Sequence, residues 1–225
     1  MADYKKPDYW QLKARKEGYP ARSVYKLIEI DEKFSLFKSA RHAVNTGREN
    51  MNAAFRILDI GAAPGSWSLH VLRKIKAESS RGSSCLKNGF LAAADLCPLS
   101  REFDGGLFDM ENFFFIQGDV TEDKVLKVLL SKGPFSVIIS DAAPNTTGNH
   151  MTDSARSLQL AETVISYAET SLANGGNLAL KIFQGSGIDV IQKRLKMLFG
   201  TVKSFKPLSC RSESVETYFI GLGKK

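Results

Sequence analysis

Short apolar runs alternate with helical patterns from Phe55 onward, and this alternation constrains the fold more than any other feature of the sequence. The apolar runs predict strands at Arg56–Ile60, Phe90–Ala94, Phe113–Gln117, Phe135–Ser140, Asn177–Phe183, Thr201–Lys206 and Glu216–Leu222. The segments between them predict helices at Ser66–Lys76, Glu122–Leu130, Thr152–Ser171 and Ile188–Leu198. Such alternation is typical of an α/β protein with a mostly parallel sheet. The last two strands leave no room for a helix between them, so we expect the seventh strand to run antiparallel.

The segment before this region is strongly basic. Apolar residues one helical turn apart predict an amphipathic helix from about Arg22 to Glu32. Residues 5–26, the basic arm, hold seven cations against two anions, Asp8 and Glu17. The cations are Lys5, Lys6, Lys13, Arg15, Lys16, Arg22 and Lys26, and Tyr9, Trp10, Tyr19 and Tyr25 lie among them. Cations and aromatic rings together suit a phosphate backbone with stackable bases, which favours a nucleic-acid partner.

Length and composition fit one domain. The chain has 225 residues, 43% of them hydrophobic, which is enough for one sizeable core. We therefore predict a single domain over residues 1–225, with the basic arm and its helix in 1–37 and the sheet in 55–225. No apolar run is long enough to span a membrane. Cys85, Cys97 and Cys210 match neither a disulfide framework nor a zinc site, so we expect no metal and a reducing, cytoplasmic compartment. We also expect the protein to be a monomer.

Three polar stretches interrupt the alternation. They are Lys38–Ala53, Ala77–Asn88 and Cys97–Glu111, and they are rich in Ser, Asn, Arg, Gly and Asp. This composition is typical of loops, so we expect all three stretches to lie at the surface.

The segment Ile57–Trp67 predicts a strand, a glycine-bearing turn and the start of a helix. In a parallel sheet a nucleotide-like ligand binds at such a strand end. The glycine spacing lacks the Gly-x-Gly of a dinucleotide fingerprint, and a tight turn without a ligand explains the glycines equally well. Asp95 and Asp119 follow the next two predicted strands, which favours the ligand site, although Asp119 also suits a helix cap.

Five motifs spread over most of the chain resemble a known family. They are Arg22–Leu27, Asp59–Trp67, Ser140–Asn145, Leu180–Gly185 and Glu213–Tyr218. Together they are similar to the FtsJ-like RNA ribose 2′-O-methyltransferases. The resemblance implies a Rossmann-like methyltransferase fold with a seven-stranded sheet, which binds S-adenosylmethionine as cofactor and RNA as partner.

The same resemblance implies the site residues. The family's Lys-Asp-Lys-Glu tetrad corresponds to Lys26, Asp141, Lys181 and Glu216. Its cofactor contacts correspond to Gly65, Trp67, Asp95, Asp119 and Asp141. Residues 55–225 would then form the cofactor-binding and catalytic sheet.

Lys181 is the expected general base. A ribose 2′-hydroxyl must lose its proton as it attacks a sulfonium methyl group, so a base and exact positioning are both needed. Lys181 lies within an apolar run, where an unpaired charge is costly, so a partner or a functional pocket is expected. Lys26 and the sulfonium would lower the lysine pKa, whereas Asp141 and Glu216 would raise it. The alternative that Lys181 mainly orients the hydroxyl therefore stays open, as does a simple phosphate contact for Lys26.

Several substrates agree with the resemblance. The chain carries no RNA-binding domain beyond its basic arm, which favours ribosomal RNA within the large subunit, with a uridine as target. A transfer RNA anticodon loop and a messenger RNA cap are the alternative substrates. A catalytically silent RNA-binding factor for ribosome assembly is the alternative outside the enzymes, and the intact tetrad argues against it.

Overall fold

The computed structural model describes residues 7–40, 55–79, 86–211 and 213–225. The strands are β1 (Arg56–Ile60), β2 (Phe90–Asp95), β3 (Phe113–Gln117), β4 (Phe135–Ser140), β5 (Leu172–Phe183), β6 (Phe199–Phe205) and β7 (Glu216–Lys224). The helices are α1 (Tyr9–Lys16), α2 (Val24–Phe34), α3 (Leu36–Ser39), α4 (Ser66–Ser79), α5 (Asp123–Leu130), α6 (His150–Ser171) and α7 (Ile188–Leu198). None of the helices within these residues is long and apolar enough to cross a membrane.

All these strands form one seven-stranded sheet in the order β3-β2-β1-β4-β5-β7-β6. Strands β3, β2, β1, β4 and β5 pair in parallel, whereas β7 is antiparallel to both β5 and β6. The predicted mostly parallel α/β sheet with an antiparallel last strand is confirmed. The strand order reverses direction between β1 and β4, and in sheets of this kind the ligand crevice opens at that point.

Alternating side chains divide the core into two layers, because successive strand residues point to opposite faces. In β4, Val137 and Ile139 pack with α2 and α4, whereas Ile138 packs with the residues of α6 and α7 on the other face. The central strand β4 is buried along its whole length. The site residues described below are therefore held by a sheet that is covered on both faces.

Element ends differ from the predictions where local packing is not visible in the sequence. Strand β5 begins at Leu172 rather than Asn177, because Leu172 already pairs with Phe135 before a register irregularity. Helix α6 begins at His150, where the side chain of Asn149 accepts hydrogen bonds from the first free amides. That residues 1–225 form one domain stays a prediction.

The three predicted surface loops are partly wrong. In the first, Leu36–Ser39 is helical and Ala40 is buried, and residues 41–54 lie outside the described part. In the second, α4 continues to Ser79 and Leu86 is buried, and residues 80–85 lie outside it. In the third, Leu107–Asp109 is a short 3-10 helix, and its residues Leu107 and Phe108 join the core. The polar composition of these stretches gave no sign of the few apolar residues that pack into the core.

Candidate active site

A cavity of about 360 Å³ opens at the carboxyl ends of the parallel strands, beside the point where the strand order reverses. Its lining residues are Ser23, Gly61, Ala63, Pro64, Asp95, Leu96, Gly118, Asp119, Val120, Asp141, Ala142, Ala143, Leu160 and Lys181. Four polypeptide segments that follow β1, β2, β3 and β4 therefore form one concave surface. Apolar and carboxylate side chains alternate on it, which suits a ligand with a flat ring and several hydrogen-bond donors.

The turn after β1 brings two backbones into contact. Gly61 has φ of +78°, and a Cβ atom there would lie 2.5 Å from Cα of Ala142 in the segment after β4. Gly65 has φ of +108°, and its Cβ atom would lie 2.9 Å from the ring of Phe108. Glycine is therefore required at both positions by conformation and by space.

Two carboxylates lie at the ends of neighbouring strands on this surface. Asp95 accepts the amide hydrogen bonds of Ala63 and Cys97, at 2.9 and 2.8 Å. Asp119 accepts from the amide and the hydroxyl of Thr121, and these bonds hold its pKa below the ordinary value. Asp119 is therefore ionised at neutral pH, and each carboxylate is fixed in orientation by its own turn.

The four residues of the expected tetrad form two ion pairs. The Lys26 Nζ lies 2.8 Å from both carboxylate oxygens of Glu216. The Lys181 Nζ lies 2.5 Å from the carbonyl oxygen of Asp141 and 3.0 Å from its Oδ1. Tyr218 connects the pairs, because its hydroxyl donates to Asp141 Oδ1 at 2.6 Å and its ring centroid lies 6.0 Å from the Lys26 Nζ.

Sheet register explains how these residues meet. In the β5–β7 pairing, Lys181 lies opposite Tyr218, and Phe183 lies opposite Glu216. Residues two apart share a face of a strand, so Lys181, Tyr218 and Glu216 all point towards the layer that contains α2. Helix α2 supplies Lys26 from that layer.

Burial and charge act against each other in this cluster. Desolvation opposes the ionisation of Asp141, but the attraction of Lys181 and Lys26 outweighs it and leaves the Asp141 pKa below the ordinary value. The Glu216 pKa is also lowered, since Lys26 outweighs desolvation. For Lys26, desolvation is outweighed by Asp141 and Glu216, so its pKa is raised. At neutral pH both acids are ionised and Lys26 is protonated.

Comparison with known proteins assigns this architecture. Residues 19–224 match the family model described as FtsJ-like methyltransferase. The chain belongs to the FtsJ-like methyltransferase family. It is an enzyme, and its cofactor is S-adenosylmethionine.

Similar proteins match this methyltransferase over almost its whole length. The Ribosomal RNA large subunit methyltransferase E of Treponema denticola is 42% identical over 222 residues, which cover 99% of this chain and 97% of the relative. The protein of the same name from Oleidesulfovibrio alaskensis is 43% identical over 220 residues, covering 97% and 92%. A crystal structure of a ribosomal RNA methyltransferase from Plasmodium falciparum has a TM-score of 0.66 and 27% identity, and covers 92% of this chain and 98% of that one.

The cavity of this FtsJ-like methyltransferase fits the cofactor. Its hydrogen-bond acceptors suit an adenosine, because a carboxylate at the second strand end can accept hydrogen bonds from both ribose hydroxyls. Asp95 lies at that position, and Leu96 and Val120 supply apolar surface beside it. Asp141 lines the other end of the cavity.

Two expected cofactor contacts lie behind the cavity lining. The indole Nε1 of Trp67 donates to the carbonyl of Ser23 at 2.8 Å, and its ring centroid lies 6.1 Å from that of Tyr218. Trp67 is 2% exposed, and neither it nor Gly65 is among the lining residues. The side chain of Trp67 therefore supports α2 and Tyr218.

Tyr218 and Ser23 belong to the site but were not among the predicted site residues. Burial and the neighbouring carboxylate of Asp141 raise the Tyr218 pKa well above its ordinary value, so its hydroxyl keeps the proton that it donates. Tyr218 could have been found from the sequence, because it lies two positions after Glu216 on a predicted strand and therefore on the same face. No comparable signal identifies Ser23, which lines the cavity from the N-cap position of α2.

Asp59 is a second buried acid near the cavity. Its Oδ2 accepts from the Ser68 hydroxyl at 2.7 Å, whereas its Oδ1 has no hydrogen-bond partner among the described residues. Burial, together with the charges of Asp141 and Asp95, raises the Asp59 pKa from 3.8 to about 7. The neutral acid is thus favoured over most of the acidic range.

The Asp59→Asn variant should show the effect of this proton, because the free energy of unfolding of the parent and that of the variant should depend differently on pH. The folded chain keeps the proton to about pH 7, whereas the unfolded chain releases it near the ordinary pKa of 3.8. The free energy of unfolding of the parent should therefore fall, relative to the variant, as pH rises through this window. A pKa change of this size corresponds to at most about 4 kcal/mol. Denaturant unfolding at several pH values measures the effect, and Glu111→Gln is the exposed control. Parallel plots of unfolding free energy against pH for the parent and Asp59→Asn would contradict this prediction.

Proposed function

We propose that this methyltransferase acts on a ribose 2′-hydroxyl of ribosomal RNA, at a uridine of the large subunit. One observation carries the chemistry, namely that the Lys181–Asp141 pair borders the cavity and is linked through Tyr218 to the Lys26–Glu216 pair. The names of the similar proteins, which match nearly the whole chain, support the substrate. We further propose that it acts on the large subunit as a cytoplasmic monomer.

Each carboxylate of the cavity binds a different part of the cofactor. Asp95 accepts from the ribose hydroxyls, Asp119 accepts from the adenine amino group, and Asp141 lies towards the methionine end. Gly65 and Trp67 act by shaping the turn and supporting its neighbours. The bound cofactor supplies an electrophilic methyl group on a sulfonium.

Lys181 acts on the target hydroxyl. It borders the cavity, and its Nζ contacts two oxygen atoms of Asp141, which fix its position. In its neutral form Lys181 would accept the proton of the target hydroxyl. The bound cofactor would supply the methyl group, whose bond to sulfur is exchanged for a bond to the 2′-oxygen. Lys26 and Glu216 position the nucleotide and balance the charge. Orientation of the hydroxyl by Lys181, without proton transfer, is the alternative role.

Methylation of purified RNA tests the proposed function. Labelled S-adenosylmethionine is incubated with the enzyme and large-subunit ribosomal RNA, assembled large subunits, transfer RNA or capped messenger RNA. We expect label in the large-subunit substrates only, at a position resistant to alkaline hydrolysis because its 2′-oxygen is methylated. Label on transfer RNA or on a cap would replace the proposed substrate. Tight RNA binding with no label on any RNA would favour the silent assembly factor.

The basic arm should contribute phosphate contacts to RNA binding. Arg15 and Lys16 are exposed on α1, whereas Lys13 lies over the rings of Trp10 and Tyr25. Trp10 and Tyr25 pack on the core, so the aromatic part of the arm is largely occupied. The double variant Arg15→Gln/Lys16→Gln should bind RNA more weakly and flatten the salt dependence.

The slope of log affinity against log salt should decrease by about 0.7 for each lost phosphate contact to single-stranded RNA. Titration at several salt concentrations measures it, and cofactor affinity should not change. Lys193→Gln/Lys196→Gln is the matched control, because it removes the same charge from α7 on the opposite face of the sheet. Equal salt slopes for the two double variants would exclude phosphate contacts by the basic arm.

A further inference from the structure

The connection between β6 and β7 is held at Ser209 from two sides. The carboxylate of Glu29 accepts hydrogen bonds from the amides of Leu208 and Ser209, at 2.6 and 2.9 Å. The guanidinium of Arg22 donates to the carbonyl oxygen of Ser209. Ser209 is fully buried, although the adjacent Leu208 is 87% exposed. A residue of an exposed connection is thus fixed through both of its backbone polar groups.

Glu29 lies on the same side of α2 as a tetrad residue. Lys26 and Glu29 are three positions apart, which places them one above the other along the helix. Arg22 lies in the turn just before α2. Lys26 binds Glu216, the first residue of β7. Arg22 and Glu29 therefore hold the connection between β6 and β7, while Lys26 between them in sequence pairs with Glu216.

The charged bonds to Ser209 are strong enough to set a position. Hydrogen bonds with one ionised partner are roughly twice as strong as neutral ones. Arg22 is itself paired with Asp8, the capping residue of α1. Next to Ser209, burial together with the nearby carboxylate of Glu216 raises the Cys210 pKa to about 12. Cys210 thus places the segment that Glu29 holds beside the carboxylate of Glu216.

We propose that Glu29 is a positioning residue for methyl transfer, which with Arg22 sets the register of α2 against the β6–β7 connection and so the geometry of the Lys26–Glu216 pair. Glu29 acts through Ser209 and Glu216 and does not touch the cofactor cavity, since it is not among the lining residues. This inference rests on the proposed role of Lys26 and Glu216 in positioning the nucleotide.

The test is a kinetic double-mutant cycle with Glu29→Ala and Glu216→Ala. Glu29→Ala should lower kcat by about tenfold, as expected for misplaced reacting groups, and leave the calorimetric Kd for S-adenosylmethionine unchanged. In the Glu216→Ala background the same change should have almost no further effect on kcat, because coupled residues are not additive. Glu29→Gln keeps one acceptor and should recover part of kcat. Glu32→Ala, an exposed acid on the same helix, is the control.

Each outcome decides between the two proposals. A lowered Tm with a normal kcat for Glu29→Ala would show a purely structural role and overturn the inference, as would full additivity with Glu216→Ala. If Glu29→Ala does not fold, Glu29→Gln and Arg22→Lys carry the same cycle, and a normal kcat in both overturns the inference. If Glu216→Ala and Lys26→Ala themselves leave kcat unchanged, the proposed role of the pair fails instead.

Discussion

Lys181→Ala should lower the turnover number by about a hundredfold or more, while the variant folds and binds both S-adenosylmethionine and RNA. The reason is that Lys181 is proposed to act on the hydroxyl in the transition state. Its Nζ is fixed by two oxygen atoms of Asp141 at the edge of the cavity, and alanine provides no group that accepts a proton there. Single-turnover methylation of large-subunit RNA measures the chemical step directly.

The Lys181→Arg variant separates the two roles of this lysine. Arginine keeps a cation beside Asp141 but does not release its proton at accessible pH, so it removes a base and retains an electrostatic contact. We expect it to be almost as slow as Lys181→Ala, because neither side chain can accept the hydroxyl proton. Lys203→Ala, an exposed lysine on β6, is the control. Rates within a few-fold of the parent for Lys181→Ala would remove the general-base assignment, and near-normal rates for Lys181→Arg would favour orientation.

Asp141→Ala should have the second large effect and should reduce both catalysis and cofactor binding. The Asp141 carboxylate binds Lys181 and Tyr218 and also lines the cavity. Its removal leaves a buried cation and a buried hydroxyl without their acceptor, which costs about 3–5 kcal/mol of stability when a buried ion pair is broken. Turnover should fall by about a hundredfold or more, and S-adenosylmethionine affinity by roughly 1–3 kcal/mol.

Two variants show which contact of Asp141 matters. Asp141→Asn keeps the shape and one acceptor oxygen but loses the charge, whereas Tyr218→Phe removes only the hydroxyl donor. Calorimetric titration and single-turnover rates should place Asp141→Asn near Asp141→Ala in rate, and Tyr218→Phe between it and the parent. An Asp141→Ala variant with unchanged cofactor affinity would argue against a place for this carboxylate at the methionine end.

Periodicity predicted the sheet because each strand carries its own local signal. Strand β4 is a continuous apolar run, and its bounds Phe135–Ser140 were predicted as they are observed. The β5 segment before Asn177 was missed, since Gly175 and Gly176 resemble a turn and only pairing with β4 makes the segment a strand. Local pattern therefore predicts strands that carry their own apolar run, but not a segment whose strand conformation depends on a neighbour.

The members of the site were predicted more fully than their arrangement. The five motifs supplied the four tetrad residues, but nothing in the sequence states that Lys26 pairs with Glu216 and Lys181 with Asp141. The β4–β5 register brings Asp141 beside Lys181, the β5–β7 register adds Glu216, and the packing of α2 on the sheet adds Lys26. Trp67 differs from the tetrad residues. Its place in a motif suggested a contact with the cofactor, whereas its side chain is buried and packs against Tyr218.

The position of β7 between β5 and β6 has a consequence for the order of folding. Strand β6 precedes β7 in the chain, yet in the sheet it is hydrogen-bonded only to β7 among the described strands. An emerging chain therefore cannot add β6 to the growing sheet until β7 has inserted beside β5. The Lys26–Glu216 contact spans 190 positions, and closing so long a loop carries a large entropic cost. The nascent protein therefore lacks the Lys26–Glu216 and Tyr218–Asp141 contacts until β7 has been synthesised.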